Sequence, residues 1–183
     1  LNSALMAAES GLKILIMEQT PEWGGRCLVD FSKIGNETSS EYVSRLLSEL
    51  RKFQNVTMRS RMMGAGVYDH GYILGYERLN DHIAADEGPR HRLWRIRAKQ
   101  IITATGSIER PVSFPSNDIP GVMLASAVRD YATNFGVATG NKIAVYTNND
   151  DAYRTAITLN EVGIEVPVIV DARVGGGGEL AER

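Results

Sequence analysis

The sequence predicts an α/β fold: a parallel sheet with helices, interrupted by an inserted β-meander. Three observations predict it. Two apolar runs, Leu12–Met17 and Gln100–Ala104, read as buried strands. A helix, a glycine and a strand ending near an acid occur twice, once around Glu18 and once around Asp171. Between the repeats, Met62–Arg97 shows the short alternating runs of antiparallel strands.

The first repeat opens with a helix over Leu1–Ser10. Leu1, Leu5 and Ala8 share one face, and Gly11 stops it. The Leu12 strand follows, with Glu18 at its end. A carboxylate there, at the end of the second strand of a dinucleotide-binding unit, accepts hydrogen bonds from the adenosine ribose hydroxyls and disfavours a 2′-phosphate. The matching glycine fingerprint lies about 20 residues before such an acid. Here that places it just ahead of Leu1. The chain is therefore expected to be a piece of a longer protein, its first lobe incomplete at the N-terminus and lacking the first strand and Gly-rich turn.

After Glu18, Gly24-Gly25 supplies a turn whose backbone can approach a ligand. Arg26 behind it either holds a phosphate or stacks on an adenine. Cys27, the single cysteine, reads as a small buried residue; it excludes an internal disulfide, a CxxC pair and a cysteine zinc cluster. Leu28–Glu37 reads as loop. Ser39–Phe53 is an amphipathic helix with Val43, Leu46, Leu47 and Leu50 on one stripe, capped by Ser39 or Ser40. It covers the sheet. Asn55–Met58 is a short strand.

In the meander, Ala65–Tyr68 and Tyr72–Tyr76 flank an Asp69-His70-Gly71 turn. Asp81–Arg92 is a polar loop, and Leu93–Arg97 is a strand with one face in water. The Gln100–Ala104 strand then enters Ala104-Thr105-Gly106, a small-residue turn, before Pro111. In open α/β sheets, ligands sit at the carboxyl ends of strands. Taken alone, such a turn is also compatible with binding nothing; paired with the Glu18 strand end, Thr105 and Gly106 become a candidate pocket wall.

Val112–Pro120 is a connector and Ser126–Phe135 a helix, with Gly140 closing that stretch. The second repeat is a strand at Lys142–Tyr146, a helix at Asp151–Val162 stopped by Gly163, and a strand at Val166–Val170 ending at Asp171. Its turn, Thr147-Asn148-Asn149-Asp150, has no glycine. Asn149 or Asp150 is suited to capping the helix itself, and Asp150 and Asp151 repel an anion. This unit is expected to be Rossmann-like in shape without binding a dinucleotide in the usual way. Gly175–Gly178 reads as a mobile run, not a phosphate loop.

The rest of the composition bounds the function. With 43% hydrophobic and 23% charged residues, the 183-residue chain has an ordinary globular balance. A net charge of −2 argues against a nucleic-acid partner. No apolar run approaches the roughly 20 residues of a membrane span, and no secretory signal is visible; the expected compartment is the cytoplasm. His70, His82 and His91 read as surface residues and Asp81, Asp86 and Glu87 as a solvated acidic patch. Tyr68, Asp69 and His70 give no physical reason to be catalytic. No catalytic or metal set emerges, so any catalysis is expected from a cofactor or another subunit.

The segments EQTPEWGG, YDHGYILGYERLNDHI, RLWRIRAKQIITATGSIERPVSFPSNDIPGVMLASAVRDY and TNNDDAYRTA add a specific resemblance. From about Leu12 to its end the chain resembles the α subunit of heterotetrameric sarcosine oxidase. The resemblance implies an NAD-binding subunit with two Rossmann-like lobes of the two-dinucleotide-binding-domain flavoprotein fold. These would be residues 1–111, the dinucleotide lobe, and residues 112–183, the second and incomplete one. A folate-binding region follows in that family and has no counterpart in these residues. The resemblance also implies β, γ and δ partner subunits, with FAD and FMN chemistry in the partner, for the oxidative demethylation of sarcosine to glycine. Met17, Glu18 and Gln19 would surround the ribose; Gly24, Gly25 and Arg26 would line the pocket; the Gly64 backbone would meet the adenine; Thr105 and Gly106 would close the phosphate side. Two other readings stay open. One is an FAD-binding subunit of a related amino-acid or opine dehydrogenase, since Glu18 treats NAD and FAD alike. The other is a non-catalytic scaffold lobe that docks partner subunits.

Overall fold

A computed structural model describes residues 1–29, 33–84 and 88–182. The expected patch at Asp86 and Glu87 lies outside these residues, as does the middle of the Leu28–Glu37 stretch. The chain is α/β and divides into two compact units, one built mainly from Leu1–Leu28 and Ser32–Ala104, the other mainly from Thr105–Arg183.

In the first unit, helix α1 (Asn2–Glu9) ends where Gly11, at φ 75°, donates to the Ala8 carbonyl. Strand β1 (Ile14–Met17) follows. Lys33–Ile34 (β2) and Glu37–Thr38 (β3) form a two-residue antiparallel ladder, so the stretch expected as loop is partly paired. Helix α2 (Ser39–Leu50) buries Val43, Leu46, Leu47 and Leu50, the stripe read from the sequence. Its cap is Thr38, not Ser39 or Ser40. Thr38 Oγ1 accepts from the Glu41 N–H at 3.2 Å, and the Glu41 carboxylate accepts from the Thr38 N–H at 2.8 Å. This reciprocal pair satisfies two helix-end donors at once, which explains why Thr38 takes the role while Ser39 is the first helical residue and is buried.

Strand β4 (Val56–Arg59) pairs parallel with β1, Ile14 opposite Val56 and Met17 opposite Arg59. Asn55 joins the layers: its side-chain amide donates to the carbonyls of Ala8 and Leu12. Strands β5 (Met62–Tyr68), β6 (Tyr72–Arg78) and β7 (His91–Arg97) form the antiparallel meander, in the order β5-β6-β7. The β5–β6 turn is tight. Gly71 sits at φ 66°, and a Cβ there would run into the Ala98 carbonyl oxygen. Glu77 is buried and accepts from the Trp94 indole N–H at 2.7 Å, while Arg59 and Arg92 both lie over the Trp94 ring.

The expected strand at Gln100–Ala104 does not form. Residues 98–114 are irregular, with Ile102 71% and Ile108 93% exposed. A strand needs a neighbour to take its backbone hydrogen bonds, and among the described residues β1 pairs only with β4.

The second unit begins with this segment. Helix α3 (Ala125–Phe135) ends at Gly136, at φ 63°, four residues before the expected Gly140. Strand β8 (Lys142–Thr147), helix α4 (Asp151–Glu161) and strand β9 (Glu165–Asp171) form a βαβ unit with parallel pairing. Its core joins Val128, Leu159 and Ile164, and beside them Val145, Ala152 and Ala156. Arg129, buried in α3, donates to Asp151 at 2.8 Å and so ties α3 to the start of α4. The Gly175–Gly178 run is packed, not loose: Gly177 is buried so near the Tyr153 ring that a Cβ would lie 2.6 Å from it.

Candidate functional site

Glu18 is fixed by its main chain on both sides. Its N–H donates to the Arg59 carbonyl and its carbonyl accepts from the Met62 N–H at 2.8 Å. The end of β1 is therefore clamped between the end of β4 and the start of β5. The side chain is half-buried, and Oε1 accepts from the Thr20 N–H and Oγ1, each at 3.0 Å. The Thr20 hydroxyl also lies 2.6 Å from the Glu22 carbonyl; with one proton it serves one acceptor at a time. Among the described residues Glu18 Oε2 has no hydrogen-bond partner. A partly sheltered carboxylate oxygen at a strand end is an acceptor left available.

Met17 and Gly64 come together beside it. The Met17 methyl lies 4.0 Å from where a Gly64 Cβ would be, and its sulfur 3.3 Å from the equivalent point of Gly75. Met17 thus packs under the meander where two strand glycines leave room. Gly75 was missed by the sequence reading, although a glycine inside a strand is itself a mark of close approach. Thr20, which holds Glu18, was missed as well. Gln19 is exposed and its carbonyl accepts from Arg78 at 3.0 Å.

The Gly24-Gly25 turn has both residues at positive φ, 127° and 53°. Gly24 packs against Val43 of α2, with a Cβ position only 3.1 Å from its Cγ1; at Gly25 the same position meets nothing within 4 Å. One glycine seats the turn and the next leaves its backbone open. Arg26 is exposed and Cys27 half-buried, in a short 3-10 turn over Gly25–Leu28. Next to the turn lies a cavity of about 350 Å³ lined by Trp23, Arg51, Phe53, Val56 and Met58 among others. None of the nine expected site residues lines it.

Thr105 and Gly106 belong to the second unit, in the irregular exposed segment, with Gly106 at φ 73°. The structure brings Met17, Glu18 and Gly64 together within the first unit and places these two outside it.

Asp171 stands where Glu18 stands in the first repeat, with different surroundings. Arg173 donates to it from its main-chain N–H, Nε and Nη2, and Tyr153 donates from its hydroxyl. Both carboxylate oxygens are occupied. The Arg173 guanidinium and N–H hold this carboxyl well below the usual carboxylate range. Arg173 also pairs with Asp150 at 2.6 Å, and Asn149 Oδ1 takes the N-terminal donor of α4, the Asp151 N–H, at 3.0 Å. The turn of the second repeat satisfies itself. In α3, Glu109 performs the equivalent service, accepting from the N–H groups of Ala125 and Ser126 at 3.2 and 2.8 Å.

Among the described residues no cluster of three or more His, Cys, Asp or Glu side chains is placed to hold a metal ion. No helix is long and apolar enough to cross a membrane. His91 is paired, its Nε2 2.9 Å from Asp81, and that contact holds the Asp81 carboxyl below its ordinary value.

No protein-family model matches the chain. Over 97% of its length it is 36% identical to the sarcosine oxidase subunit alpha of Rhizobium meliloti (strain 1021). It is 37% identical over 94% of its length to that of Corynebacterium sp. (strain U-96), and 35% identical over its whole length to that of strain P-1. The chain spans about a fifth of the length of these curated relatives, 18 to 19%. Its structure is similar to an L-proline dehydrogenase from P. horikoshii, with a TM-score of 0.69 over 94% of this chain and 34% of that one, at 24% identity. The two share an α/β fold.

Proposed function

We propose that the chain is the nucleotide-binding part of the α subunit of a sarcosine-oxidase-type oxidoreductase that oxidises an amino-acid amine. Its first lobe, over residues 1–111, binds the adenosine end of NAD, and the second, over 112–183, is Rossmann-like and supporting. The observation that carries this reading is the contrast between two acids in equivalent places. Glu18 keeps Oε2 available, whereas both oxygens of Asp171 are taken by Arg173 and Tyr153. The near full-length similarity to sarcosine oxidase α subunits supports the rest.

In this reading Glu18 accepts the ribose hydroxyls through Oε2, oriented by Thr20 on Oε1. Met17 supports the sheet under Gly64, whose exposed backbone faces the adenine. Gly25 presents open backbone, Arg26 offers a cation, and Thr105 and Gly106 close the phosphate side. Bound here, a dinucleotide supplies a ring able to take up a hydride. The substrate chemistry, sarcosine to glycine with FAD and FMN, belongs to an assembly with β, γ and δ subunits.

The test uses the full-length protein. Nucleotide released on denaturation is identified by mass, and NAD affinity is titrated. Glu18→Ala is expected to weaken NAD binding by about 1.5–3 kcal/mol, tenfold or more, with the unfolding midpoint nearly unchanged. Unchanged affinity removes Glu18 from the site. Release of FAD from this polypeptide alone replaces NAD with FAD in the same lobe.

A further inference from the structure

The β5–β7 sheet is apolar on both faces. Its inner face carries Met62, Ile73, Gly75 and the buried carboxylate of Glu77. An antiparallel sheet with one face in a core normally turns polar side chains to the other. This one does not. Strand pairing sets three rows across the outer face: Met63, Tyr76 and Leu93; Gly66, Leu74 and Arg95; Tyr68, Tyr72 and Arg97. Met63 is 42% exposed, Tyr68 54% and Leu93 58%. The rows hold together locally. The Tyr68 ring lies over Gly66 and 5.9 Å from the ring of Tyr72, and Arg97 lies over Tyr72 at 4.9 Å.

The charge on this sheet is one-sided. β5, β6 and β7 contain one carboxylate, Glu77, and it is buried on the inner face. They contain no lysine. Arg95 and Arg97 are exposed, and among the described residues neither meets a carboxylate; Arg97 donates to the His70 carbonyl. Tyrosine, methionine and arginine without Lys, Asp or Glu is the composition of the centre of a protein–protein interface.

We propose that this outer face docks a separate protein chain, one that meets it with an apolar patch edged by carboxylates facing Arg95 and Arg97. A second copy fits poorly, because a two-fold contact brings the same cations and no carboxylate to the junction. A nucleic acid is disfavoured by the chain's net charge of −2. The inference rests on the multi-subunit part of the reading above, not on its nucleotide part.

Hydroxyl-radical labelling of Met63, Tyr68, Tyr72 and Tyr76 is compared between the full-length polypeptide alone and the purified assembly made with its companion subunits. Labelling is expected in the isolated polypeptide and strong protection in the assembly. Equal labelling in both overturns the proposal. So does protection already present in the isolated polypeptide, which would mean that the protein's own chain covers the face, or tight binding of a single-stranded oligonucleotide at physiological salt. Combined Arg95→Glu and Arg97→Glu is expected to weaken association with the purified companion subunits about tenfold or more, with Arg95→Lys and Arg97→Lys retaining most of it. Unchanged affinity in the Glu variant overturns the proposal; should that variant fail to fold, the labelling comparison decides. Purification of the protein as a lone monomer or homo-oligomer with this face labelled removes the docking site, whereas nucleotide release from the same sample reports separately on Glu18.

Discussion

Asp171 shows how one residue's partners translate into a pH dependence. Hydrogen bonds from Arg173 lower its folded value below the ordinary 3.8. A lowered folded value means that the group stabilises the fold above its unfolded value, and that this contribution is lost as the pH falls from about 4 toward the folded value. Asp171→Asn is expected to flatten the acid limb of the second unit's stability curve, measured by urea unfolding at a series of pH values below about 5. An acid limb identical to the parent's would mean that the Arg173 network contributes nothing. Gly71 shows a second kind of constraint. It combines a positive φ with a Cβ position blocked by the Ala98 carbonyl oxygen, a main-chain atom that cannot step aside. Gly71→Ala is expected to cost about 1–3 kcal/mol. Gly25→Ala, at a positive φ in open space, is expected to cost about 1 kcal/mol. Equal losses in chemical unfolding would contradict the crowding argument. Glu18 was legible as a residue because a strand-end acid has a known use; Thr20 was not, because its role depends on a turn that only the folded chain displays.

Among the elements, helix α2 depends on its first turn. Thr38→Ala is expected to lower the first unit's stability by about 1 kcal/mol, with Thr38→Ser recovering most of it; a null effect on the unfolding midpoint would mean that Glu41 and water suffice. The helix and its buried stripe were plain in the sequence because Val43, Leu46, Leu47 and Leu50 repeat at helical spacing. The cap was one residue off, although Thr38 and Glu41 stand at the three-residue spacing of a reciprocal cap. Other elements were less legible for physical reasons. Lys33–Ile34 and Glu37–Thr38 are too short to show alternation. Gln100–Ala104 has the composition of a strand, but composition does not provide the neighbour that a ladder needs. The Glu109 contact with the first turn of α3 spans 16 residues, beyond any local pattern.

At the scale of the whole molecule, the order of helices and strands was readable, since α/β repeats punctuate themselves with glycines such as Gly11 and Gly163. The grouping of the site was only half readable: Met17, Glu18 and Gly64 converge, while Thr105 and Gly106 fall in the other unit. The division also has an optical consequence. The chain has two tryptophans, Trp23 and Trp94, and both lie in the first unit; the second holds only tyrosines among its strong chromophores. Indole emission therefore follows the first unit alone, whereas far-ultraviolet dichroism follows both. Leu159, fully buried in the second unit, separates the two signals. Leu159→Ala, at about 2–5 kcal/mol, is expected to move the dichroism transition to lower urea and leave the emission transition in place. A common shift of both would mean that the two units melt as one.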